Sequence, residues 1–79
     1  MSDQSAVVAV LESKRAELLS LFTYEHLPPH LQDVSRPICR MAHHIAETTR
    51  PCWDQIRALE HLMIAKDAAV RSAVAQAIE

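Results

Sequence analysis

Two adjacent prolines, Pro28 and Pro29, constrain the fold of this chain more than any other feature. Proline fixes φ and lacks an amide proton, and the residue before it is pushed toward extended geometry. A helix that reaches Phe22 must therefore end before the pair. We call residues 22–30 the elbow, and the sequence predicts that it is a short, stiff connection between two helices.

The elbow also carries side chains that suit a site. It holds the chain's only tyrosine, Tyr24, together with Glu25 and the histidines His26 and His30. An aromatic ring on a stiff connection could serve as a packing latch between helices or as one wall of a ligand site. The residues themselves leave both roles open.

Apolar periodicity predicts three helices, over residues 3–21, 31–48 and from 51 to nearly the C-terminus. The fold class is therefore all-α: an antiparallel helical hairpin (31–79) preceded by an N-terminal helix (1–21), in a single domain. The second helix has apolar residues every three or four positions, which is typical of a helix that packs along another. The positions expected to face the core are Val7, Leu11, Leu18 and Phe22, then Leu31, Val34, Ile38, Met41 and Ile45, then Trp53, Ile56, Leu59, Met63, Val70 and Val74.

Capping residues mark the predicted helix ends. Ser2, Asp3 and Ser5 offer side-chain oxygens to the first helix. Thr49 is expected to cap the third helix, with Pro51 in its first turn.

Pro37 interrupts the periodicity of the second helix. Either the helix continues with a kink at this residue, or a turn over residues 30–35 leads into a shorter helix capped by Ser35. We favour the kinked continuous helix.

The composition indicates self-association. A chain of 79 residues buries only about 60% of its unfolded surface, yet 49% of this one is hydrophobic and none of it is glycine. We expect a homo-oligomer that pairs through the alanine-rich face of the last helix. The alanines of that helix are Ala65, Ala68, Ala69, Ala73, Ala75 and Ala77.

The location predicted from the sequence is cytoplasmic. No apolar run reaches the roughly 18 residues that a membrane span needs, and the first residues lack the basic and apolar parts of a signal peptide. The formal net charge of −2 disfavours general binding to DNA. Within residues 36–50, three arginines stand against Glu47, so this segment is either a small-anion site or a solvated helix face.

Metal and catalytic chemistry have weak support. Cys39 and His43 are one helical turn apart, and Cys52 and His61 are more remote partners, but no CxxC spacing anchors a metal site. Without glycine there is no usual phosphate-binding loop or nucleophile elbow. We expect reduced thiols, no metal, no cofactor and no enzymatic activity.

Three segments, FTYEHLPP, HLQDVSRPICRMAHHIAE and ALEHLMIAKDAAVRSAVA, resemble the helical hairpin domain of phage-encoded nucleotide sponges. That family comprises anti-CBASS proteins, which sequester cyclic oligonucleotides, and related anti-Thoeris proteins, which sequester cyclic ADP-ribose signals. The resemblance covers about residues 22–75. It implies a phage protein of the host cytoplasm that binds its signal without cleaving it. It also implies a homo-oligomer, a hexamer in the family, with pockets between subunits.

The resemblance also implies ligand-binding residues. Tyr24 matches an elbow tyrosine, whose ring is suited to stack on a purine, while a latch role remains the alternative. Arg40 matches a basic residue of the first hairpin helix, and Arg36 lies one turn before it. His26 matches a family histidine, and Arg71 a terminal arginine.

Some features leave room for other interpretations. The long first helix and the longer elbow depart from the family pattern, and Asp67 could hold Arg71 in a surface ion pair. The alternative function is a small helical module that inhibits or scaffolds a protein partner.

Overall fold

The computed structural model describes residues 2–78, and the side chains of residues 5–75. Three helices follow one another: α1 Ser2–Ser20, α2 Pro29–Thr48 and α3 Trp53–Ile78. No strand occurs in residues 2–78, so the all-helical prediction is confirmed. Of the expected N-caps, the side chains of Ser2 and Asp3 lie outside the described ones. Ser5 lies inside α1, so it is not a cap.

The proline pair begins α2 rather than ending α1. α1 stops at Ser20, and the amides of Leu21 and Phe22 each bond three residues back, at 3.0 Å. Pro28 is the N-cap of α2 and Pro29 its first residue, a position where the missing amide proton costs nothing. The predicted helix break is correct, and α2 begins two residues earlier than expected.

α2 passes through Pro37 without interruption, as the continuous-helix interpretation predicts. The alternative, in which Ser35 caps a shorter helix, is wrong because Ser35 lies within α2 and is fully buried.

Thr49 ends α2 and does not start α3, contrary to the prediction. Its amide and its hydroxyl both donate to the carbonyl of Ile45, at 3.0 and 2.6 Å. The side-chain amide of Gln55 donates to the carbonyl and hydroxyl oxygens of Thr49, at 3.1 and 2.9 Å. This clasp fixes the connection, and α3 begins at Trp53 instead of Pro51.

The core lies between α2 and α3, and α1 packs mainly against α3. Its centre is formed by Phe22 from the elbow, Cys39 and Ala42 from α2, and Leu59 from α3.

The predicted core face of α2 is correct in part: Leu31 is buried, and Ile38 and Ile45 are half-buried against the core cluster, but the centre of the buried face lies one position further along. The buried residues are Leu31, Ser35, Cys39, Ala42 and Ala46. Met41, expected inside, is 48% exposed. The physical reason is size: small side chains let α3 approach closely, while the larger residues beside them flank the contact.

The ends of the other helices are more exposed than predicted. Val7 of α1 and Trp53 and Val74 of α3 are 45%, 54% and 41% exposed. The molecule measures 57 × 18 × 17 Å, and the shared core covers only its middle. None of the three described helices is long and apolar enough to cross a membrane.

Candidate functional site

Lys66 of α3 fixes the start of the elbow. Its ammonium donates to the carbonyls of Leu21 and Thr23, at 2.9 and 3.0 Å, and the residue is only 8% exposed. Leu21 and Thr23 follow the last residue of α1, so their carbonyls have no partner in a helix, and this buried cation satisfies them. Two of its three N–H donors are thereby used.

Sequence reasoning missed Lys66, although a signal exists. In α3 the residue continues the apolar stripe at positions 59, 63, 66 and 70, where the other three side chains are Leu, Met and Val. A lysine at a core position indicates a buried charge with partners.

Gln32 of α2 fixes the end of the elbow. Its side-chain amide donates to the carbonyl of Leu27 at 2.8 Å and to that of Glu25 at 3.3 Å. Hydrogen bonds from side chains of α2 and α3 therefore hold the elbow backbone on both sides of Tyr24 and His26.

Tyr24 and Arg36 form a stacked pair. The central guanidinium carbon lies 5.3 Å from the centre of the tyrosine ring, which is close enough for a cation–π interaction. Arg36 also donates to the carboxylate of Asp33 at 3.3 Å. Tyr24 is half-buried and packs against the core cluster, so it makes the contacts expected of a latch.

Arg40 lies one helical turn beyond Arg36 and is exposed. Within the described part of the chain it has no hydrogen bond and no ion pair. The guanidinium is therefore available to an external anion.

A cleft of about 280 Å³ lies between the elbow and α3, and we call it the basic cleft. It brings together two of the predicted residues, His26 and Arg71. No ion pair joins Asp67 and Arg71 among the described side chains, in contrast to the surface pair considered above. The residues that line the basic cleft are His26, Leu27, Lys66, Asp67, Val70 and Arg71.

The predicted site residues thus fall into two groups. Tyr24 and Arg36 form one, with Arg40 beside it on α2, and His26 and Arg71 share the basic cleft. The elbow supplies one member of each group, two residues apart, and both groups combine a cation with a partly exposed aromatic or polar side chain. Such surfaces suit ligands that carry a ring and an anionic group.

Cys39 is not placed for chemistry. Burial raises the pKa of its thiol, an effect that the nearby Glu25 reinforces and the charge of Lys66 opposes. A protonated thiol is a poor nucleophile and metal ligand. Cys39 is 1% exposed whereas His43 is exposed, so the two do not share a surface. Among residues 5–75, no three His, Cys, Asp or Glu side chains gather where an ion could bind.

Comparison with protein-family models, curated proteins and solved structures finds no match to this chain.

Proposed function

We propose that this chain binds and sequesters a cyclic nucleotide signal without cleaving it, as a phage anti-defence sponge in the host cytoplasm. The observation that carries the proposal is the stacked pair of Tyr24 and Arg36 on a fixed elbow. A ring face and a guanidinium are the two groups that a base and a phosphodiester require. The ligand would be a cyclic oligonucleotide or a cyclic ADP-ribose derivative.

At the stacked pair, a base would lie on the tyrosine ring. Arg36 lies over one face of the ring and Tyr24 also packs against the core cluster, so the base would displace the guanidinium, which would then turn to a phosphate. Stacking of this kind contributes about 1–3 kcal/mol per base. Arg40 adds a second guanidinium, whose fork of donors matches two phosphate oxygens.

The basic cleft would hold a second anionic group of the same ligand. Lys66 and Arg71 give it two cations against the carboxylate of Asp67. Its volume lies just below the roughly 300–1,000 Å³ of typical ligand pockets, so it suits a phosphate rather than a whole cyclic dinucleotide. A complete pocket would need a second chain.

The assembly we propose supplies that chain. α2 and α3 would form an antiparallel hairpin, and hairpins would pair through the alanine-rich face of α3 into a homo-oligomer, a hexamer in the family that the sequence resembles. Ala65 and Ala68 on this face are exposed in the single chain. Pockets would then lie between subunits.

Sequestration works by mass action. It needs affinity and copy number and no general base, so we propose neither catalysis nor a cofactor, and neither DNA nor a membrane as partner.

The decisive experiment incubates the purified protein with a panel of cyclic dinucleotides, cyclic trinucleotides and cyclic ADP-ribose isomers, then heats it and analyses the released ligand by mass spectrometry. A sponge returns its ligand intact and is stabilised by about 2.7 kcal/mol at one hundred times the dissociation constant. Recovery of a hydrolysed product would show that the protein is an enzyme and not a sponge. No stabilisation by any member of the panel would reject nucleotide binding.

A second candidate function is a helical module that inhibits or scaffolds a protein partner. One observation favours it: among residues 5–75, eight large hydrophobic side chains are exposed, more than a nucleotide would cover. Such a module would bind none of the cyclic nucleotides in the panel. The eight residues are Val7, Val8, Val10, Leu21, Met41, Trp53, Ile64 and Val74.

A further inference from the structure

Residues 5–10 of α1 form a helical segment without charge that the rest of the chain leaves uncovered. Residues 5–10 read SAVVAV, contain no charge, and are all exposed. Val7, Val8 and Val10 are each between 44% and 48% exposed. A helical segment that is hydrophobic all round is normally buried, so a further surface is needed to cover this one.

The accessible surface of the whole chain supports the same conclusion. It amounts to 5471 Å², whereas a folded monomer of 8.9 kDa is expected to expose about 4,800 Å². The surplus of roughly 650 Å², to which this segment and the exposed surface of α3 both contribute, approaches the roughly 800 Å² that each partner buries in a standard protein interface.

One side of this segment carries a shallow depression that a second helix can occupy. Ser5, Val8, Ala9 and Glu12 line a shallow depression of about 390 Å³ on one side of α1. Their spacings of three, one and three are symmetric about the midpoint between residues 8 and 9. In an antiparallel pair whose two-fold axis passes through that midpoint, Ser5 of each chain lies opposite Glu12 of the other chain. Val8 of each chain likewise lies opposite Ala9 of the other.

We propose that α1 pairs with α1 of a second chain in this antiparallel register. The hydroxyl of Ser5 donates to the carboxylate of Glu12 of the second copy, and Val8 fills the space above the small Ala9. A parallel pair would set the two Glu12 carboxylates side by side, which is unfavourable.

The charges of the segment argue against a lipid surface. No Lys or Arg precedes Lys14, while helices that lie on membranes are rich in both. The pairing concerns a helix outside the proposed nucleotide site, so its test does not depend on whether the protein binds a nucleotide.

Disulfide trapping tests the register. In a Cys52→Ser background, Ala9→Cys puts two thiols within about 1.5 Å of each other along the helix axis, whereas the two thiols of Ser13→Cys are offset by about 14 Å. A disulfide needs Cα atoms less than about 7 Å apart. Under mild oxidation, Ala9→Cys should therefore form a covalent dimer at least tenfold faster than Ser13→Cys. Equal rates would overturn the register.

Light scattering tests the surface itself. Val8→Glu should lower the mass of the assembly at a given concentration, and the matched control Ser13→Glu should not. Both variants should keep the nucleotide affinity of the wild type if it has one. A wild type that is monomeric at every concentration, or whose binding to anionic lipid vesicles is abolished by Val8→Glu, would overturn the proposal.

Discussion

At the scale of single residues, Tyr24 shows why the site was only partly predictable. Its place on the elbow follows from the prolines, but its two roles do not exclude each other: the ring packs on the core while Arg36 lies over its face. The sequence placed Arg36 near Arg40 because they are one turn apart. The contact across to Tyr24 depends on how the elbow folds back, which no local pattern encodes.

Removing the ring at position 24 separates the two roles. Tyr24→Ala should weaken nucleotide binding about tenfold or more, for ~1–3 kcal/mol of lost stacking, as measured by isothermal titration with the tightest ligand of the panel. Tyr24→Phe keeps the ring and should bind nearly as the wild type does. A large loss of thermal stability with unchanged affinity in Tyr24→Ala would identify a latch only.

Arg40→Ala should also weaken binding, and added salt should then reduce the affinity of the variant less than that of the wild type, because a screened contact has already been lost. Arg40→Lys should restore affinity only in part, since lysine lacks the bidentate fork. Unchanged affinity in both Tyr24→Ala and Arg40→Ala would reject this position for the pocket.

Lys66 should matter to folding as well as to the cleft. Lys66→Met keeps the apolar stem but removes two charge-assisted hydrogen bonds to carbonyls. Urea denaturation should therefore show a loss of at least the roughly 1.5–3 kcal/mol that one such bond contributes. Lys14→Met, at an exposed position of α1, is the matched control and should change the free energy of unfolding by less than about 0.5 kcal/mol. Equal effects would show that the buried bonds contribute little.

At the scale of helices, the parts set by local chemistry were predicted and the parts set by packing were not. Prolines and apolar spacing located all three helices. The core face of α2 was misplaced because Met41 and Ala42 are neighbours on the helix, and the choice between them depends on how closely α3 approaches. Thr49 lies two residues before Pro51, which is typical of the start of a helix. Its hydroxyl nevertheless donates to the carbonyl of Ile45 in the preceding helix.

Pro37 gives a prediction at this scale. It lies in the interior of α2 and is exposed, so it breaks one backbone hydrogen bond without filling the core. Pro37→Ala would restore the hydrogen bond to the carbonyl of Asp33, which stabilises the helix. The substitution also makes the unfolded chain more flexible, which favours unfolding, so the net stabilisation of the fold should be about 1–2 kcal/mol.

The control for that change is Pro51→Ala, in the connection between α2 and α3. This substitution restores no helical hydrogen bond, so thermal melting should be unchanged or lower. A destabilised Pro37→Ala would mean that the packing of α2 requires the geometry that proline imposes.

At the scale of the whole molecule, the surface of α3 tests the proposed assembly. Ala69 is half-buried within the chain, while Ala68 is exposed, so Ala68→Glu reaches the proposed seam with less disturbance of internal packing. A charge buried there without a partner should dissociate the oligomer, which light scattering would detect. Ser13→Glu, at an exposed position of α1 and so outside this face of α3, should leave the mass unchanged. An intact assembly in Ala68→Glu would remove this face from the interface.

The bonds of Lys66 also bear on how the chain is made in the cell. The carbonyls of Leu21 and Thr23 find their partner only in a residue translated 45 and 43 positions later. Contacts so distant in sequence form late, because a long loop must close first. A ribosome therefore releases α1 and the elbow well before their anchor exists, with the valines of α1 open to any passing hydrophobic surface. Newly made chains should depend on chaperones during that interval, or on neighbouring nascent copies that emerge from the same message.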